Sequence, residues 1–275
     1  LFRSPNLPQE EMQSIVQTLQ LHPDGARVEL SRLRRELARL HQDLRAWVSD
    51  SPTTHPETGS PLSELDQQAE RNNRRLLAQE IQRSWRRQSD RDFDTPEGVT
   101  QYVLRFAEPI LGDLPSLTAD FSHVSQLSLE GTRSAQAIPA FLRGFSGLRR
   151  LELRRFSLNT LPDAISQMPD LHALVLSDCG IRVDAATWSK LASMKQLAML
   201  DLYKNPFETL PHIDTMSELA HLDLSDTCQT GIAASLLQHP KLQTLLLMNN
   251  HISELPAGLF ESSLYDKRGL HLTNN

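Results

Sequence analysis

One spacing of apolar residues, L-x-x-L-x-L-x-x-N, recurs six times along this chain, and few architectures accommodate such a repeat. Its cleanest copies are Leu197-Leu200-Leu202-Asn205 and Leu242-Leu245-Leu247-Asn250. The same four positions recur as Val124-Leu127-Leu129-Thr132, Leu148-Leu151-Leu153-Phe156, Leu171-Leu174-Leu176-Cys179 and Leu219-Leu222-Leu224-Thr227. The copies start at 124, 148, 171, 197, 219 and 242, so they lie 24, 23, 26, 22 and 23 residues apart. The second and third apolar positions are two residues apart, the period of a strand with one buried face. So short a strand cannot bury that face alone, and each block must stack on the next.

This is the pattern of leucine-rich repeats. It predicts an α/β solenoid of the LPX-like type, with about seven or eight strands in a curved parallel sheet over residues 99–275. Two weaker copies flank the run: Leu104 and Phe106 before it, and Leu270, Leu272 and Asn275 after it. A solenoid ordinarily closes with a capping element. A chain that stops within a copy, and starts at Leu1, therefore reads as a fragment truncated at its C-terminus. Leu114-Pro115, Ile138-Pro139, Leu161-Pro162, Leu210-Pro211 and Leu255-Pro256 suit extended returns, because proline fixes φ and offers no donor. Two repeats lack the pair, and there Ala185–Met194 and Ile232–Leu237 read as short helices.

Residues 1–98 have a different period. Leu30, Leu33, Leu37, Leu40, Leu44 and Trp47 form one apolar stripe on a helix over 24–49. Ser49–Pro61, with three prolines and a glycine, ends that helix. A second helix from about residue 61 to 88 would bury Leu65, Ala69, Leu76, Leu77, Ile81 and Trp85. A shorter one lies around Glu10–Leu19, and Asp90–Gly98 is a turn-rich connection to a first strand near Tyr102–Phe106. Two amphipathic helices need an apolar surface to cover. The first repeat offers one, which makes this region an N-terminal cap. The alternative is a dimerising coiled coil, for which the heptad run is short.

Composition narrows the function classes. A net charge of −6 and a pI near 5.9 argue against nucleic acid or an anionic membrane as the partner. No run approaches the ~20 apolar residues of a membrane span, and the first residues lack a signal peptide's pattern. Two cysteines make no disulfide framework, and Cys179 at the ladder position reads as structural. All the lysines (Lys190, Lys195, Lys204, Lys241 and Lys267) follow residue 189, a bias that fits a GC-rich genome or avoidance of lysine near ubiquitin chemistry. No Gly-rich phosphate loop, H-E-x-x-H or C-x-x-C spacing is present. The ten histidines have no metal-ligand spacing, and His221 with Asp223 on one strand makes no triad. Neither a catalytic site, a metal nor a cofactor is expected within these residues.

What remains is a surface. If the leucines face the core, the residues between them face out. After the second leucine come Arg105, Ser128, Glu152, Val175, Asp201, Asp223, Leu246 and His271. Two positions on come Glu130, Arg154, Ser177, Tyr203, Ser225 and Met248. A basic group (Arg149, Arg150, Arg154, Arg155) is followed by acids (Asp178, Asp201, Asp223, Asp226) and then by apolar Leu246 and Met248. The expected protein-binding face comprises Arg150, Glu152, Arg154, Asp178, Asp201, Tyr203, Asp223, Leu246 and Met248.

Three stretches carry a family resemblance: Trp47 with Ser51-Pro52, Arg83-Ser84-Trp85-Arg86-Arg87-Gln88, and Leu114 to Val124 with its Ala119-Asp120-Phe121-Ser122-His123 core. With the Leu-Pro repeats, the chain from about Leu30 onward resembles the pre-catalytic part of bacterial novel E3 ligase (NEL) proteins. That family includes IpaH-like type III secreted effectors and large proteins of plant- and soil-associated pseudomonads. The resemblance implies the substrate-recognition segment of a ubiquitin ligase delivered into the host cytoplasm. Its partner would be a host target protein, with ubiquitin and an E2 enzyme engaged only through a separate catalytic domain. The family's nucleophilic cysteine has an acidic residue two places on. Cys179 and Cys228 are followed by Gly-Ile and Gln-Thr, so neither takes that role. Thr132, Phe156 and Thr227 also depart from the asparagine ladder. The competing expectations are a stand-alone leucine-rich-repeat scaffolding effector without ligase activity, and a targeting module for a toxin encoded upstream.

Overall fold

A computed structural model describes residues 9–93, 100–133, 138–266 and 268–275. Three helices lead: α1 (Gln9–Gln20), α2 (Ala26–Ser49) and α3 (Glu64–Trp85). Ser63 caps α3, its hydroxyl accepting the Asp66 N–H at 3.1 Å. A single nine-stranded sheet follows in sequence order: β1 (Arg91–Asp92), β2 (Gln101–Ile110), β3 (Val124–Gly131), β4 (Arg150–Arg154), β5 (Ala173–Ser177), β6 (Met199–Asp201), β7 (His221–Asp223), β8 (Thr244–Leu246) and β9 (Leu270–His271). Every pairing from β2 onward is parallel. This is the α/β leucine-rich-repeat solenoid that the repeat spacing predicts.

One strand was not anticipated. Arg91 and Asp92 pair antiparallel with Tyr102 and Gln101, so the sheet starts on the helical side of a division placed at residue 98. Two residues carry no readable period. What holds them is polar: the Asp92 carboxylate accepts the buried Ser125 hydroxyl and, at 2.9 Å, the Gln126 side-chain amide.

The repeat leucines lie where the spacing puts them. Leu127, Leu151, Leu174, Leu200, Leu222 and Leu245 are buried in one core that runs the length of the sheet. Each such side chain contributes roughly 1.5–3 kcal/mol through burial. Two of the proline pairs do more than extend the chain. Pro139 opens a one-turn helix, α4 (Pro139–Leu142), and Pro162 precedes another, α5 (Asp163–Ser166). Proline is pre-organised for a first helical turn, whose N–H would lack a partner anyway. Of the repeats without the pair, one carries α6 (Ala185–Ala192), N-capped by the Asp184 carboxylate, and the other α7 (Ala234–Gln238). The last repeat adds a 3-10 turn at Leu259–Glu261 and α8 (Ser263–Asp266).

The helical stripe is spent on the solenoid. Leu40 and Leu44 belong to the continuous core, and Leu33, Leu37, Trp47 and Val48 pack against it. On α3 the hydropathy reading picked partly wrong positions. Leu65 is 80 % exposed and Leu76 39 %, whereas Glu70 and Arg74 are buried beside Leu77, Ala78, Ile81 and Trp85. Polar bonds across the joint compensate that burial. Arg74 Nε meets Glu70 Oε1 at 2.8 Å, and its other nitrogens donate to the carbonyls of Trp47 (2.9 Å), Asp50 (3.2 Å) and Leu111 (2.8 Å). The guanidinium also lies 4.8 Å from the Trp47 ring centroid. Glu70 Oε2 accepts the Leu111 N–H, and Trp47 Nε1 donates to the Asp113 carbonyl.

The stretches around Trp85 and around His123 meet at the same joint. Glu36 Oε1 on α2 accepts Trp85 Nε1–H at 2.8 Å and the Asp120 N–H at 3.1 Å. His123 Nε2 donates to the Ser84 carbonyl at 2.8 Å. Phe121 stacks on Phe145 with 4.8 Å between centroids, carrying the contact into the next repeat. Those residues are therefore the facing surfaces of cap and first repeat, fitted to each other.

Candidate functional site

Strand register turns isolated outward positions into rows. Arg105, Ser128, Glu152, Val175, Asp201, Asp223, Leu246 and His271 stand opposite one another across β2 to β9. Glu130, Arg154 and Ser177 form the start of a second row, which Tyr203, Ser225 and Met248 extend by position. A third row, of which the sequence reading placed only Arg150 in the binding face, is Gln126, Arg150, Ala173, Met199, His221 and Thr244. These are the residues immediately before the second leucine. Period-2 alternation applies on that side too, and it adds Met199 and His221 to the face.

All nine residues expected on this face are half-buried. Eight follow the rows, whereas Asp178 sits one residue past β5 in a left-handed turn with φ 54°. Three residues read as outward are in fact covered: Val175, Ser177 and Ser225. The Ser177 hydroxyl donates to Asp201 Oδ2 at 2.9 Å, and Ser225 Oγ accepts the Met248 N–H at 3.2 Å.

Three arginines of the basic group, Arg150, Arg154 and Arg155, meet carboxylates. Glu152 lies between Arg150 at 2.5 Å and Arg154 at 3.1 Å, and also accepts the Ser128 hydroxyl. Burial pushes the Glu152 carboxyl up, but the two arginines and Ser128 outweigh it and leave the group below its usual range. Arg155 reaches Glu130 at 3.5 Å, and Arg133 pairs with Asp178 across the first repeats. The expected gradient from positive to negative is thereby flattened at its positive end. Arg150 additionally rests on Met199, Nη1 to Sδ 3.8 Å.

The acidic zone differs. Asp201 and Asp223 are register partners on β6 and β7. Asp201 accepts the Tyr203 N–H (2.8 Å), Asp223 the Ser225 N–H (2.9 Å), and Asp226 the Asn249 side-chain amide (3.2 Å). Burial raises the Asp223 carboxyl pKa, and the like charges of Asp201 and Asp226 add to that; the Ser225 hydrogen bonds only partly oppose it. The Tyr203 phenol is likewise raised, first by burial and then by the adjacent Asp226.

Cys179 is buried, its Sγ bonded to the Leu153 carbonyl at 3.3 Å, and burial pushes its thiol pKa up to about 12. Among the described residues no group of three or more His, Cys, Asp or Glu could hold a metal ion, and no helix is long and apolar enough to cross a membrane. What the arrangement offers is a broad, rigid sheet face with Tyr203, Leu246, Met248 and Met199 among charges.

No protein-family model matches the chain. It is 27% identical over 162 residues to the volume-regulated anion channel subunit LRRC8B of Mus musculus, covering 56% of this chain and 20% of that protein. The chain thus spans about a fifth of that relative's length. Among solved structures, a Leptospira interrogans LRR protein superimposes with a TM-score of 0.47 at 18% identity, over 61% of this chain and 43% of that one. InlP of Listeria monocytogenes gives 0.40 at 17%, over 56% and 55%. The leucine-rich repeat domain of the type III effector XopL gives 0.37 at 17%, over 88% and 71%.

Proposed function

We propose that this chain is the substrate-recognition segment of a NEL-type E3 ubiquitin ligase, delivered by a bacterium into the host cytoplasm. The observation that carries its protein-binding role is the row-aligned outer sheet face, with Tyr203, Leu246 and Met248 half-exposed among charges. Solenoids present such faces to protein partners, and aromatic and apolar members supply most of the affinity there. The ligase assignment is supported by the resemblance of the Trp85 and His123 stretches, which here form the joint between cap and repeats. In this reading the segment selects a host protein, while a separate domain carries the cysteine, ubiquitin and the E2 contact.

The full reading frame and a transfer assay test the two halves separately. We expect a cysteine-bearing helical domain in the same frame that takes ubiquitin from an E2 as a thioester. Tyr203→Ala with Met248→Ala should then reduce target ubiquitylation about tenfold while thioester formation stays unchanged. A frame without such a domain ends the ligase assignment and leaves a stand-alone binding protein. Targets modified equally by the double variant end the assignment of the face.

A further inference from the structure

The outer face carries two charged zones, and only in one of them do opposite charges meet. Across β3 and β4 each carboxylate meets an arginine: Glu152 with Arg150 and Arg154, and Glu130 with Arg155. Across β6 and β7, Asp201 and Asp223 stand side by side, with Asp226 in the turn that follows. Among the described residues no lysine or arginine reaches these three within ion-pair distance; their donors are amides and hydroxyls. Like charges directly opposed on neighbouring strands are destabilising, and burial of Asp223 sharpens the cost.

The positions flanking this pair on the face carry no lysine or arginine. Leu246 continues the row of Asp201 and Asp223, and Met248 lies two residues on. Along the strands, Met199 and Tyr203 flank Asp201, while His221 and Ser225 flank Asp223. A bare divalent ion would make no use of that apolar margin, whereas a peptide would. Neighbouring strands lie about 4.8 Å apart. The midpoint of the aspartate pair is therefore about 7 Å from Leu246, the reach of roughly two residues of extended chain.

Resting on the protein-binding reading above, we propose that this face captures a basic protein segment: an arginine or lysine docks between Asp201 and Asp223, and an apolar side chain about two residues away rests on Leu246 and Met248. The charge match steers the encounter and rejects acidic partners, while the apolar contact supplies the residence time.

A random peptide library displayed against the whole chain, followed by calorimetry of the enriched peptides, tests this. Enriched sequences should pair Arg or Lys with an aliphatic or aromatic residue at that spacing. Asp201→Asn with Asp223→Asn should weaken them at least ~10-fold, and Leu246→Ala with Met248→Ala by a similar factor. The asparagines keep shape and acceptors, and a thermal melt no lower than that of the native chain verifies that the fold is retained. Acidic or uncharged winners, or winners indifferent to the aspartate variants, overturn the proposal. If those winners are still lost in Tyr203→Ala with Met248→Ala, the face binds protein and only the basic-partner inference fails. Winners indifferent to every face variant, or a library that yields no binder, count against both.

Discussion

At the residue scale the repeats depend on a polar ladder and a sharp turn beside it. Asn205 Nδ2 donates to the Leu176 and Leu202 carbonyls, at 2.6 and 3.1 Å, while its Oδ1 accepts the Ile181 N–H. Asn250 and Asn275 repeat that pattern, and Thr227 and Cys179 make shorter versions of it. Each of these five residues thereby satisfies backbone groups that a tight turn removes from the sheet. Asn205→Ala should cost about 2–4 kcal/mol, because it leaves several buried groups without partners; urea denaturation reads this directly. The residue before every ladder position except Thr132 is left-handed: Arg155, Asp178, Lys204, Asp226, Asn249 and Asn274 have φ between 54° and 61°. Asparagine and aspartate accept that region more readily than lysine or arginine do. Exposed Lys204→Asn should therefore stabilise the chain by a few tenths of a kcal/mol to about 1 kcal/mol, seen as a higher denaturant midpoint with an unchanged slope.

At the scale of elements, the joint between helices and first repeat is where hydropathy stopped being informative. The stripe on α2 was legible because leucines mark it, and it is buried as the period implies. The α3 interface was not, because an ion pair and backbone carbonyls do the packing at Glu70 and Arg74. Arg74→Ala should cost about 3–5 kcal/mol by stranding buried Glu70, and Arg74→Met with Glu70→Leu should recover much of that loss. A double-mutant cycle from urea melts checks it. The joint also carries an acid-sensitive element. Burial, the largest cause, depresses His123 from 6.5 to about 4, although the Ser84 carbonyl favours its protonated form. A base held neutral in the fold stabilises it above pH 6.5, and the contribution is lost as pH falls through 4. At ~1.36 kcal/mol per pH unit, the drop amounts to about 3 kcal/mol. His123→Gln keeps a donor for Ser84 and cannot titrate. Its stability should fall less steeply than that of the native chain between pH 6.5 and 4. Parallel acid limbs in the two proteins would contradict this role.

For the molecule as a whole, the spacing of leucines foretold an ordered stack of strands, because one buried face per strand is all that the solenoid requires. It foretold less about the outer face, where register decides which charges meet. Arg150, Glu152 and Arg154 were visible as neighbours in sequence, but their mutual neutralisation depends on side-chain reach across one strand. The pairing of Asp201 with Asp223 needs the exact offset between repeats 22 residues apart. The same stack predicts how stability is distributed. Pairing is five residues long between β3 and β4 and between β4 and β5, three at each step from β5 to β8, and two between β8 and β9. In a solenoid each repeat is held only by its neighbours, so shorter ladders at one end open first. The helical joint reinforces the opposite end. Hydrogen-exchange protection should therefore be greatest at Leu127, Leu151 and Leu174 and fall steadily through Leu222 and Leu245 to Leu270. Mass spectrometry of exchanged peptides reads that slope directly. Equal protection from β3 to β9 would mean that the chain opens as one cooperative unit, with the cap and the acidic strands stabilising each other at a distance.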